Sequence, residues 1–193
     1  MPDKILPSVD YIRQCVREEN GYVFWLKRPQ DHFKDERSWK LWNTRYSGTE
    51  AGCVRIGYHF ITINNLKFKR STIVWAVRHG ELKIGLDHKN RDQLDDRIEN
   101  LRVASKSQNA ANCRIPSDNT SGHKGVSWCK QTGMWQVGLQ CRKKRIWLGR
   151  FNNLADAALA YERGAREHFG EFASDGSKRQ IDEAKTDGSN PDA

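Results

Sequence analysis

Between Pro116 and Gly122 the chain reads Pro-Ser-Asp-Asn-Thr-Ser-Gly, in which every residue favours turns or solvated coil. Such a run cannot cross a packed interior, so it divides the 193 residues into two regions that must each build a modest core. The expected organisation is an N-terminal region over 1–113, a linker over 114–122 and a C-terminal region over 123–173. The tail over 174–193 is polar, contains Gly and Asp, and reads as disordered.

Hydrophobic periodicity supplies the elements. Ser8 can cap a helix running to Asn20, with Val9, Ile12 and Val16 on one face, and a short strand follows from Tyr22 to Trp25. The charged, Trp-containing stretch from Gln30 to Glu50 reads as mostly loop. Tyr58 to Ile63 and Leu66 to Arg70, separated by Asn64-Asn65, form a hairpin pattern, after which Ser71 can cap a helix to His79 that Gly80 ends. Leu86 to Asn90 reads as a strand entering a loop, and Arg97 to Arg102 and Ser105 to Asn112 as helical. Beyond the linker come three strands, Lys124 to Trp128, Trp135 to Gln140 and Lys144 to Leu148. A helix from Leu154 to His168 then turns Leu154, Ala157, Ala158, Tyr161, Ala165 and Phe169 to one side. The fold class is α+β, ending in a three-stranded antiparallel sheet packed on one helix.

A formal net charge of +9 attracts polyanions. No apolar run approaches the roughly 20 residues of a spanning helix, and Met1 to Asp10 has no apolar signal core, so the expected location is cytosol or nucleoid. Cys15, Cys53, Cys113, Cys129 and Cys141 are odd in number and form no C-x-x-C pair, which points to free thiols in a reducing compartment and away from structural zinc.

Chemistry concentrates between Asp87 and Asn109. Phosphodiester hydrolysis needs a base for water and a cation for the charge growing on phosphate. His88 suits the first need, because imidazole titrates near neutrality. Asp87 and a helix-borne Asn suit the second, as hard oxygen ligands of an incomplete, Mg²⁺-like shell. Neighbours on a strand point to opposite faces, so Asp87 and His88 serve one phosphate only if the strand ends or bends there, as the turn-forming Asn90-Arg91-Asp92 allows.

The run LDHKNRDQLDDRIENLRVASKSQN resembles the pattern DHxNGDxxDNRIENLRxxTxSEN of phage HNH homing endonucleases, a ββα-metal nuclease family, across Lys67 to Asn112. The resemblance implies Asp87 and Asn109 as ligands of one Mg²⁺ or Mn²⁺ ion per site, His88 as general base and Asn100 as the residue bracing the loop. Arg91 replaces the usual Gly, Asp96 the usual Asn, and Ser71 stands where relatives often carry His. Arg97 is open to two readings, a phosphate contact or an ion pair with a carboxylate such as Asp95.

From Asn119 to Ala155 the chain carries Lys124, Lys130, Arg142, Lys143, Lys144, Arg145 and Arg150 and no acidic residue, an electrostatic footprint for a phosphate backbone. Strand alternation puts Val126, Trp135, Val137, Leu139, Ile146 and Leu148 on one side, and Ser127, Gln136, Gly138, Gln140, Arg145 and Trp147 on the other. A sheet with that second face can read a major groove. His123 to Ala173 also resembles the plant Apetala/ethylene-response-factor DNA-binding domain through HKGV, MWQVGL, IWLGRF and the helix ADAALAYERGA. That likeness implies DNA-facing roles for Lys124, Gly125, Arg145 and Trp147. Lys143, Ser127, Gln136 and Gln140 complete the candidate face, although Ser127, Gly138 and Gln140 replace charged contact residues and leave the target sequence open.

The combined expectation is a metal-dependent, site-preferring nicking endonuclease of phage origin, monomeric, acting on double-stranded DNA in a bacterial host cytosol. A DNA-binding regulator with a decayed nuclease module and an RNA-binding protein remain as alternatives. Competition between single-stranded RNA and duplex DNA discriminates the latter.

Overall fold

The structure, a computed structural model, describes residues 6–174, so the expected tail beyond Ser174 lies outside the described residues. The chain forms two compact units, Met1–Asn109 and Ala110–Ala193. Both combine helices with small antiparallel sheets, an α+β architecture.

In the first unit Ser8 caps helix α1 (Val9–Cys15), its Oγ accepting from Tyr11 N at 3.1 Å. The helix stops at Cys15 and does not reach Asn20. Val16–Glu19 is instead strand β1, paired antiparallel with β2 (Tyr22–Trp25). Asn20 and Gly21 both take positive φ, 49° and 84°, which is the geometry of a tight hairpin turn and outweighs the helical periodicity upstream. A second correction concerns Gln30 to Glu50, which holds a 3₁₀ turn (Gln30–His32) and helix α2 (Glu36–Tyr46). Asp35 caps α2 through Ser38 N at 2.7 Å, and Trp39, Trp42 and Tyr46 repeat at helical spacing.

Strands β3 (Cys53–Arg55), β4 (Tyr58–Ile63) and β5 (Leu66–Lys69) form a sheet in that order, and Asn64 and Asn65 turn the hairpin at φ 52° and 59°. Helix α3 (Arg70–His79) begins one residue before the expected cap, so that Ser71 lies buried within its first turn. Gly80 ends it in the left-handed conformation, φ 76°. Ile61 and Ile63 of β4, Ile73, Val74 and Ala76 of α3, and Ile12 of α1 pack into one core.

Strand β6 (Leu86–His88) pairs with β7 (Leu101–Val103), Asp87 opposite Arg102 and His88 opposite Leu101. The helix expected over Arg97 to Arg102 is therefore a single 3₁₀ turn, Ile98–Asn100, followed by a strand: pairing with β6 and burial of Leu101 outweigh local propensity. Helix α4 (Lys106–Asn112) opens with a reciprocal cap, Gln108 N donating to Ser105 Oγ and Ser105 N to Gln108 Oε1.

In the second unit β8 (Val126–Cys129), β9 (Met134–Cys141) and β10 (Lys144–Phe151) form a sheet in the order β10-β9-β8. Helix α5 (Leu154–Phe169), capped by Asn153, covers its inner face with Ala157, Ala158, Tyr161, Ala165 and Phe169. Gly164 belongs to the same stripe, because a Cβ there would stand 2.7 Å from Leu148 Cδ1. Ser121, at the end of the turn-rich segment, is buried and donates to the Val126 carbonyl at 2.8 Å.

Ile73 is fully buried in the core under the β3–β5 sheet. Ile73→Ala is expected to destabilise the first unit by about 2–5 kcal/mol, read as a lower urea midpoint with an unchanged slope.

Candidate functional site

Asp87 and His88 end β6, both nearly buried, and they engage different partners, as alternation along a strand requires. Asp87 Oδ2 accepts from Arg102 Nε and Nη2, each at 3.0 Å, across the β6–β7 pair. His88 Nε2 lies 2.8 Å from Asp96 Oδ1. The other oxygen of Asp96 accepts from Arg70 Nε at 2.7 Å. Arg70 also donates to Glu50 Oε1 at 3.0 Å and to the Leu94 carbonyl at 2.8 Å, and its guanidinium lies 5.0 Å from the Tyr22 ring centre.

Asn100 closes the loop between the strands. Its Oδ1 accepts from Asn90 N at 3.0 Å, and its Nδ2 donates to Asn90 Oδ1 at 3.0 Å and to the Asp95 carbonyl at 2.7 Å. Arg97 grips Asp95 with two parallel bonds, Nε to Oδ1 at 2.7 Å and Nη2 to Oδ2 at 2.8 Å, which is the ion-pair alternative for that residue. Hydrogen bonding from Arg97 holds the Asp95 carboxyl down at about 2 and pushes the Arg97 guanidinium up.

Asn109 sits exposed in the first turn of α4, its N–H donating to the Ser105 carbonyl. Among the described residues no group of three or more His, Cys, Asp or Glu side chains could hold a metal ion. Asp87 and Asn109 offer hard oxygen donors of the kind a divalent cation such as Mg²⁺ takes, and they lack the thiolate and imidazole set of a closed zinc site.

The sheet of the second unit sorts its candidates. Ser127, Gln136, Gln140, Arg145 and Trp147 share the face away from α5, with Ser127 opposite Gln136 and Arg145 opposite Gln140. A bulge between Trp147 and Gly149 shifts the register, so that Arg150 pairs with Gln136 and joins this face, 5.7 Å from the Trp147 ring centre. Strict alternation missed Arg150 for that reason. Lys143 is exposed in the β9–β10 turn at φ 66°. Two candidates are engaged elsewhere. Lys124 Nζ donates to the carbonyls of Ala110, Ala111 and Cys113, and Gly125, at φ 67°, admits the Tyr161 ring where a Cβ would clash at 2.3 Å.

Sequence reasoning also missed Arg70, Glu50 and Arg102. Arg102 opposes Asp87 only once 101–103 is a strand, and Arg70 reads as the polar end of a hairpin until its burial is known.

A model of the HNH endonuclease family matches residues 69–111. The chain is 34% identical over 107 residues to Protein 3.8 of Escherichia phage T7, an alignment covering 54% of this chain and 88% of that protein. No solved structure matches the chain.

Arg91 stands at φ 63°, the left-handed conformation that costs a side-chain-bearing residue about 1–2 kcal/mol and that Gly adopts freely. Arg91→Gly, which restores the residue of the HNH pattern, is expected to raise stability by about 0.5–1 kcal/mol, net of the entropy glycine loses on folding. A lower unfolding midpoint would contradict that account.

Proposed function

The chain belongs to the family of Protein 3.8 of Escherichia phage T7 and carries an HNH endonuclease domain at residues 69–111, and from that premise we propose that it is a metal-dependent endonuclease that nicks double-stranded DNA at preferred sites. The observation that carries this reading is His88 at the end of β6, one ring nitrogen held by Asp96 and the cross-strand pair Asp87–Arg102 beside it, all inside the matched segment. His88 takes a proton from a water whose oxygen attacks the phosphorus, and one P–O ester bond breaks as the leaving oxygen gains a proton from solvent. Asp87 and Asn109 would hold one Mg²⁺ or Mn²⁺ ion, which supplies charge neutralisation for the phosphate and leaving oxygen. Asn100 keeps the loop closed, and a monomer with one such centre cuts one strand per encounter.

The second unit is proposed as an Apetala/ethylene-response-factor-like DNA-binding module. Its acid-free basic segment and the face of Ser127, Gln136, Gln140, Arg145, Trp147 and Arg150, with Lys143 at its edge, support duplex binding in a phage-infected cytosol. Lys124, Gly125 and Arg97 are assigned to holding the fold.

With supercoiled plasmid and Mg²⁺, His88→Ala is expected to lose about 10²- to 10⁴-fold in nicking while gel-shift affinity is kept. Asp87→Ala and Asn109→Ala are expected to raise the Mg²⁺ requirement or abolish cutting. A parent protein that binds DNA yet fails to cut with every divalent ion tried would leave a binding protein only.

Arg145→Ala is expected to weaken duplex binding and lower the slope of log affinity against log salt by about one unit. A slope equal to the parent's would remove Arg145 from the phosphate contacts.

A further inference from the structure

The partners of His88 carry an inference that rests on the nuclease reading and deepens it. Arg70 is 4% exposed, and a guanidinium has donors only. Asp96, 3% exposed, therefore meets Arg70 as an acceptor through Oδ2, and a carboxylate facing a guanidinium has only lone pairs to offer on Oδ1. That oxygen stands 2.8 Å from His88 Nε2. The contact is a hydrogen bond when Nε2 carries the proton, and in a neutral imidazole the lone pair then belongs to Nδ1.

We propose that Asp96, clamped by Arg70, is a positioning residue for the base: it fixes His88 in the Nε2–H tautomer and holds the ring, so that Nδ1 is the atom that takes the proton from water. The acidic residue matters because of its second partner. In Asp96→Asn the amide oxygen satisfies Arg70 Nε, which turns the amide N–H₂ toward His88 Nε2 and favours the opposite tautomer. Asp96 stands where the HNH pattern usually has Asn, and in this chain the acidic residue is clamped by a buried Arg.

The test uses the full chain in two assays. In plasmid nicking with Mg²⁺, Asp96→Asn should lower kcat by at least about tenfold, and no further than His88→Ala does, with KM and gel-shift affinity unchanged. The double variant His88→Ala/Asp96→Asn should nick no more slowly than His88→Ala alone, because a positioning residue has nothing left to position. Losses that multiply would mark a merely structural residue and overturn the proposal, as would full activity in Asp96→Asn. In the second assay the chain is labelled with ¹⁵N-histidine and its ring signals are recorded over a pH series, the tautomer being read from the neutral form and His88 assigned by its loss in His88→Ala. The parent should show His88 as Nε2–H and Asp96→Asn should shift it toward Nδ1–H. A parent His88 that is Nδ1–H overturns the proposal without any variant, so an Asp96→Asn protein that fails to fold does not rescue it. If the parent fails to nick with every divalent ion tried, the nuclease reading falls, and the tautomer is still decided by the spectrum.

Discussion

Arg70 is the residue on which the first unit of this protein is organised. A guanidinium taken out of water costs several kcal/mol unless its donors are met, and Arg70 meets Asp96, Glu50 and the Leu94 carbonyl while its flat face lies over Tyr22. Those partners come from β2, the segment before β3, and the loop between β6 and β7, so one side chain at the start of α3 draws the hairpin, sheet and loop together. Losing one partner would strand a buried charge, at a cost of about 3–5 kcal/mol. Glu50 in turn lies 3.7 Å from His59 Nδ1, which extends the network into β4.

The loop between β6 and β7 needs that support because little of it is regular structure. Between His88 and Ile98 its shape comes from side chains: Asn90 and Asn100 exchange bonds, Arg97 grips Asp95, and Arg91 sits in a conformation better suited to glycine. Backbone packing adds to this. Gly21, at the tip of the β1–β2 hairpin, lies so close to the loop that a Cβ there would stand 2.5 Å from Arg97 N and 2.8 Å from the Asp96 carbonyl carbon. The Asn20-Gly21 turn thus serves two ends, reversing the chain and buttressing the segment that carries Asp96.

What the sequence revealed follows from where the information lies. The β4–β5 hairpin, the glycine stop after α3, helix α4 and the sheet and helix of the second unit are written in short-range patterns. Asp87, His88, Asn100 and Asn109 stand out because their types and order match a known motif. The β1–β2 hairpin was hidden because Val9, Ile12 and Val16 also satisfy a helical period, and α2 because its tryptophans lie among charges. Strand β7 was hidden because its partner β6 is fifteen residues away at the Asp87–Arg102 pair. The Arg70–Asp96–His88 arrangement spans α3 and the loop, and no local pattern marks three residues that only the fold brings together.

The two units use charge in opposite ways, and physical chemistry separates the uses. In the first, Arg70, Asp96, Asp87 and His88 are withdrawn from water, so their interactions are weakly screened and directional, as needed to hold a ring and a carboxylate in fixed orientation. In the second, Arg145 and Arg150 lie exposed beside Trp147, itself 51% exposed. Charges there act through solvent over roughly a Debye length, about 8 Å at physiological ionic strength, and attract any phosphate backbone regardless of sequence. The uncharged members of the same face, Ser127, Gln136 and Gln140, carry hydroxyl and amide groups that both donate and accept, a directional chemistry that the exposed charges lack at long range.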